Sequence, residues 1–239
     1  MAKERINKSA KDTVKRKNRI RLLKLALLII LLFLINVYII LGIIYKGKNF
    51  TVTLDSEYGK ESNLTIYESS EEKLERTYLK CDTLDFFSDI SVDWIPKDIH
   101  EEAEGSHNGR NYIAYTFYAE NQGQETINYW ATIKIDDVIK DVDKAARVMV
   151  YKNGEKTVYG KANERTGQPE NGTEPFVDET TVMLEVTENF KVGDVDKYTV
   201  VIFVEGSDPD CTDALIGGEI GMYMTLTEEH IPDKETEDN

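Results

Sequence analysis

Asp208, Asp210, Thr212 and Glu219 stand at the first, third, fifth and twelfth positions of the stretch Asp-Pro-Asp-Cys-Thr-Asp-Ala-Leu-Ile-Gly-Gly-Glu. Oxygen-bearing side chains at those positions are how a loop wraps a calcium ion. The sixth position, where a helix-flanked calcium loop needs glycine for its sharp turn, is Asp213, and the flanks alternate like strands. A helix-flanked calcium loop is therefore not expected, and a calcium site of another kind at these four residues is the metal-binding alternative. Set against it is a plain Asp/Pro/Gly connection whose carboxylates are solvated or cap a turn. Only an oxygen-seeking cation fits, because no cluster of soft ligands for zinc is present.

Other chemistry has less to work with. His100 and His107 sit in an acidic stretch, residues 98–109, and His230 lies near the C-terminus. His100-Glu101 begins a zinc-protease pattern, but Glu104 stands where the second histidine belongs. There is no Gly-x-Ser-x-Gly and no phosphate loop. Carboxylate pairs occur throughout so acidic a chain and single out no hydrolytic centre. A non-enzymatic protein is expected. Trp94 and Trp130 are either core or interface residues or platforms for a sugar ring. Cys81 and Cys211 allow one disulfide in an oxidising compartment, or two free thiols; their spacing does not choose.

These residues must be held by something, and the elements begin with a membrane span. Residues 25–45 carry no charged side chain and are mostly Leu, Ile and Val. As a helix they reach about 31 Å, the thickness of a bilayer's hydrocarbon core. Residues 1–24 hold ten Lys/Arg against two Asp/Glu, and the remainder holds 19 against 42, so +8 and −23 make up the net −15. The positive-inside rule puts residues 1–24 in the cytoplasm and the acidic part outside. The apolar run is longer than a secretory core and lacks a small-x-small site, so an uncleaved signal anchor is expected. The basic arm has no aromatics to stack on bases, so no nucleic-acid partner is expected.

From residue 46 the texture turns to period two. Phe50, Val52 and Leu54 alternate, then Leu64 and Ile66. Residues 74–84 read as a strand, although Ser69 and Glu72 have capping-box spacing. Ile113, Tyr115 and Phe117, and then Ile127, Tyr129, Ala131, Ile133 and Ile135, suggest a hairpin turned at Asn121-Gln122-Gly123. A helical turn is expected over 141–146. Asn153-Gly154 marks a second hairpin. Residues 163–180 should be a long exposed loop. Val182, Leu184 and Val186 should line one strand face, followed by strands at 198–204 and 220–226. All five prolines fall between these strands. The expected fold is an all-β antiparallel sandwich, jelly-roll or immunoglobulin-like, over residues 46–227. Residues 228–239 form an acidic tail expected to be disordered.

The run Ala114-Tyr-Thr-Phe-Tyr-Ala-Glu-Asn-Gln-Gly123 into Asn128-Tyr-Trp-Ala-Thr-Ile-Lys-Ile135, the turn Lys191-Val-Gly-Asp194, and the close over 205–226 resemble the TasA/camelysin group of Gram-positive surface and biofilm-matrix proteins. They are more similar still to membrane-anchored relatives of that group. The resemblance covers roughly residues 50–227 and implies a jelly-roll-like sandwich with a structural or adhesive role. It carries over no catalytic residues. Those matrix proteins are usually released by signal cleavage, whereas 25–45 looks retained, which favours a tethered module. The expected function is a cell-surface or envelope-associated interaction module with envelope or surface proteins, or further copies of itself, as partners. The alternative is an extracytoplasmic sensor for calcium or glycan that signals through the helix.

Overall fold

The computed structural model describes residues 20–39, 50–55, 62–84 and 88–229. The basic arm before residue 20, the second part of the expected span (40–45) and the acidic tail from residue 230 lie outside the described residues. The chain divides into two units, Met1–Lys46 and Gly47–Asn239.

In the first unit, α1 (Ile20–Ile39) is one uninterrupted helix, long and apolar enough to cross a membrane and buried nowhere. It begins five residues before the expected span and so takes in Arg21 and Lys24. Its one mid-helix amide, Asn36, donates to the Leu32 carbonyl within the helix.

Among its described residues the second unit holds twelve strands: β1 (Thr51–Asp55), β2 (Leu64–Tyr67), β3 (Tyr78–Lys80), β4 (Gly105–Ser106), β5 (Ile113–Asn121), β6 (Ile127–Ile139), β7 (Ala146–Lys152), β8 (Glu155–Gly160), β9 (Glu174–Pro175), β10 (Thr181–Phe190), β11 (Val195–Val204) and β12 (Glu219–Glu229). The same described residues include a four-residue helix, α2 (Ile99–Glu102), and three single-turn 3-10 segments. One of those turns, Val142–Lys144, lies where a helical turn was expected.

A five-stranded sheet runs β10-β6-β12-β1-β3; a seven-stranded sheet runs β2-β5-β11-β7-β8-β9 with β4 beside β5. The sheets are mixed rather than purely antiparallel, since β1 runs parallel to β12 and β8 parallel to β9. Their inner faces share one apolar cluster. Val52, Ile133, Met224 and Leu226 come from one sheet, and Tyr115, Phe117, Val148 and Val200 from the other. The two sheets therefore bury a common core.

The expected hairpin between β5 and β6 does not form. β5 pairs with β2, β4 and β11, whereas β6 pairs with β10 and β12 in the other sheet. The connection is an arch from sheet to sheet, and Asn121 builds it. Fully buried, it donates to the Glu125 and Phe190 carbonyls (2.9 and 2.8 Å) and accepts from the Gly123 N–H (3.0 Å). Its backbone also bonds Gly193 and Asp194, so a second arch, from β10 to β11, is fastened to the same residue. Only glycine fits at 123, because a Cβ there would lie 1.9 Å from Asn63 Oδ1. The hairpin expected at Asn153-Gly154 does form. Both residues adopt positive φ (53° and 88°), as a two-residue turn with the strands' own twist requires.

Two further expectations change. Leu184 and Val186 do not share a buried face with Val182; they are 47% and 40% exposed. A register shift between Thr181 and Met183 puts Val182 and Met183 both inside and moves the later residues out of phase. Glu228 and Glu229 belong to β12 rather than to the tail. The Glu228 carboxylate accepts from Ser62 Oγ, the Asn63 N–H and Asn63 Nδ2 (3.0, 2.8 and 2.7 Å), tying β12 to the start of β2 in the opposite sheet.

Candidate interaction surface

The four candidate calcium residues are not brought together. Asp208 is buried and its carboxylate is taken by the equally buried Arg147 guanidinium, with the other oxygen accepting the Asp210 N–H at 2.7 Å. Asp210 accepts from Asn163 Nδ2 at 2.7 Å. Thr212 is exposed ahead of a 3-10 turn, and Glu219 is exposed at the start of β12. Among the described residues no group of three or more His, Cys, Asp or Glu is placed to hold a metal ion. The Asp208 and Asp210 carboxylates hold Arg147 of β7, the Asp210 N–H and Asn163 instead.

Cys81 and Cys211 are free thiols in separate surroundings, so the disulfide is not formed. Cys81 lies in the main core beside Ser106 Oγ (3.2 Å). Burial pushes its thiol up to about 11. Cys211 packs at one end of the domain near Val142, Ala145 and Val204. Burial, then Asp89, Asp208 and Glu205, raise its pKa as well. His100 stacks on Tyr151 with ring centroids 4.5 Å apart, and His107 Nδ1 meets the Gly105 carbonyl at 3.0 Å. His100 Nε2 faces Glu101 Oε1 at 3.6 Å, whereas His100 Nδ1 and His107 Nε2 have no hydrogen-bond partner among the described residues.

What organises the polar chemistry is a signal the sequence reading passed over, the 13 tyrosines. Among the described residues five donate to a carboxylate: Tyr67 to Glu120, Tyr115 to Glu68, Tyr118 to Glu104, Tyr129 to Asp196 and Tyr159 to Glu185. Burial and then the neighbouring carboxylate raise the Tyr67, Tyr115 and Tyr118 phenols, the last to about 12. The phenols therefore stay protonated and act as fixed donors. Burial alone would raise Glu104 and Glu120, but hydrogen bonds from Ser70 and Tyr118, and from Lys73 and Tyr67, outweigh it and hold both below the usual range. The unit Gly47–Asn239, with 18 Lys/Arg for 42 carboxylates, thus satisfies part of its excess with neutral donors.

Between β8 and β10 the open side of the two sheets forms a cleft of about 420 Å³, lined by Val150, Lys152, Asn153, Glu155, Thr157 and Glu185. Its chemistry is already committed. Lys152 donates to Thr187, pairs with Asp196 at 3.4 Å and lies over the Tyr129 and Tyr198 rings at 5.5 and 5.7 Å. Asn153 holds Asp196, and Glu185 holds Tyr159.

The surface left open is the outer side of the five-stranded sheet. The register sets Leu184, Thr132, Thr225, Thr53 and Tyr78 in one row across all five strands. Val186, Trp130 and Thr227 form the next row. Both rows alternate with residues of the shared core, so their side chains point away from it. Trp130, expected to be interface, core or sugar platform, is outward and 36% exposed. Beside this face β10 is an edge strand, bonded to β6 alone in its sheet.

No protein-family model matches the chain, and no curated protein matches it. Among solved structures, a β-glucosidase from Kluyveromyces marxianus in complex with glucose aligns at 14% identity and TM-score 0.28, over 79% of this chain and 19% of that one. Its selenomethionine-labelled form aligns at 14% identity and TM-score 0.23, over 75% and 19%. The chain thus spans about a fifth of that enzyme's length. At those scores the likeness carries no argument about fold, activity or ligand.

Proposed function

We propose that this is a single-pass membrane protein whose acidic, strand-built outer domain is a structural or adhesive interaction module of the cell surface. In this reading α1 is a retained anchor, and the basic residues before it keep the N-terminus cytoplasmic. The outer domain is a jelly-roll-like sandwich, a reading supported by chain connections that mostly cross from sheet to sheet. The resemblance to TasA/camelysin surface proteins points the same way.

The observation that carries the proposal is the free side of β10. It is ten residues long, has one neighbour, and exposes Leu184 and Val186 beside its edge. Such an edge offers unpaired backbone groups to an extended strand of a partner. Sedimentation of residues 47–239 should show concentration-dependent association, or retention of an envelope protein that a Leu184→Lys/Val186→Lys variant loses. A domain that stays monomeric and retains nothing counts against the proposal. Protease shaving of intact cells should remove the outer domain; shaving that spares it, or a mature form beginning after the helix, sinks the topology.

A further inference from the structure

We propose that the outer face of the five-stranded sheet binds a linear, neutral polysaccharide, laid along the row Leu184, Thr132, Thr225, Thr53 and Tyr78 with Trp130 beside it. This rests on reading the outer domain as a surface interaction module, and it names the partner's chemistry for that face. At the usual strand spacing, five strands make a row about 19 Å long. Three hydroxyls occupy its middle and an aromatic ring its far end, with the Trp130 indole one row away. Aromatic faces take the apolar faces of sugar rings, and threonine hydroxyls both donate to and accept from sugar hydroxyls.

Charge decides between occupants. The chain is 31% charged, yet the row from Leu184 to Tyr78 carries no charged side chain, and the row of Val186, Trp130 and Thr227 meets one at its end, Asp55 on β1. The adjoining row Lys134, Tyr223, Thr51 and Lys80 sets one exposed lysine next to Thr132 on interior strand β6 and another on edge strand β3. A cationic partner would find the carboxylates of this net-negative domain elsewhere, and an anionic polymer would be repelled by it. Two copies stacked broadside on this face would press two like-charged domains together. A neutral glycan incurs none of these costs. With threonine hydroxyls filling the centre, the face is also too polar for lipid.

The test uses the full chain in a detergent without a sugar head group, mixed with insoluble chitin and cellulose as neutral probes and polygalacturonate as the anionic one. Retention on a neutral polymer is expected to survive about 1 M salt, since no ion pair is involved. Trp130→Ala and Tyr78→Ala should each weaken it roughly tenfold, the scale of one lost aromatic contact. Thr225→Lys should abolish it. Trp94→Ala, at a more exposed tryptophan (74%) on a 3-10 turn outside the face, should leave it unchanged. Melting temperatures of the variants establish that each is folded. No retention on either neutral polymer, equal retention by Trp130→Ala, or retention that disappears with salt overturns the proposal. So does a Trp130→Ala variant that loses self-association, which would assign the face to a second copy. Self-association that persists without glycan retention overturns this inference and leaves the interaction module standing.

Discussion

The outer face of the seven-stranded sheet lies under residues 90–99, whereas the outer face of the five-stranded sheet leaves Leu184, Val186, Trp130 and Tyr78 exposed. Ile90, Ile95 and Ile99 close over Ala114, Met149, Tyr151, Val201 and Phe203, making a second apolar cluster beyond the shared core. β7 and β11 are consequently buried along nearly their whole length, on both faces. β6 and β12, central in the other sheet, alternate between buried and partly or fully exposed positions over most of theirs. The difference separates two tasks. One sheet is sealed and supplies stability; the other keeps one side wet and available. Surface that a fold leaves open beside an unpaired edge is where a partner is to be sought.

Substitution should divide along the same line. Phe203, 1% exposed under the cover, should cost about 4 kcal/mol as Phe203→Ala, read from urea midpoints. A loss under 1 kcal/mol would mean the covering segment is not packed as described. Asn121→Ala should cost about 3 kcal/mol, because it strands the Glu125 and Phe190 carbonyls and the Gly123 N–H. Both arches depend on that side chain, so hydrogen exchange should quicken at both together.

Acid should act on the covered sheet's edge. Glu104 and Glu120 titrate below their ordinary 4.5 in the folded chain, so the unfolded chain binds protons first as pH falls. Their contribution is complete above that ordinary value and is lost as pH drops through the lowered folded values. A Glu104→Gln/Glu120→Gln variant should show a flatter fall of urea midpoint between about pH 7 and about pH 3 than the parent. A parallel fall would remove these two groups from the account. On the open sheet, Val186→Ala should change stability by no more than about 0.5 kcal/mol. A larger loss would show that its side chain is covered after all. Smallest of all, thiol-reagent labelling of the native chain should modify the half-exposed Cys211 before the buried Cys81.

Much of this division was written in local pattern. The alternation at 50–54, 127–135 and 220–226 predicted strands where strands stand, and Asn153-Gly154 predicted its own hairpin. The open face could have been read in part, since Trp130 and Thr132 alternate against Ile127, Tyr129 and Ile133. What escaped was anything that needed a distant partner. The register shift at Thr181–Met183 reverses which side Leu184 and Val186 occupy, and no nearby residue announces it. Glu228 reads as one more acid before a polar tail, and only Ser62 and Asn63, far off in sequence, make it a clamp.

The order of residues alone determined an apolar helix of spanning length, the sign of charge on either side of it, and the positions of most strands. Each follows from composition or from a repeat of two, which neighbours along the chain suffice to define. Tertiary structure decided which strand joined which sheet, that Asn121 turned an apparent hairpin into an arch, and that one sheet was roofed and the other left bare. Strand pairing and covering are choices among surfaces of similar pattern, and they are settled by the packing of residues remote in sequence.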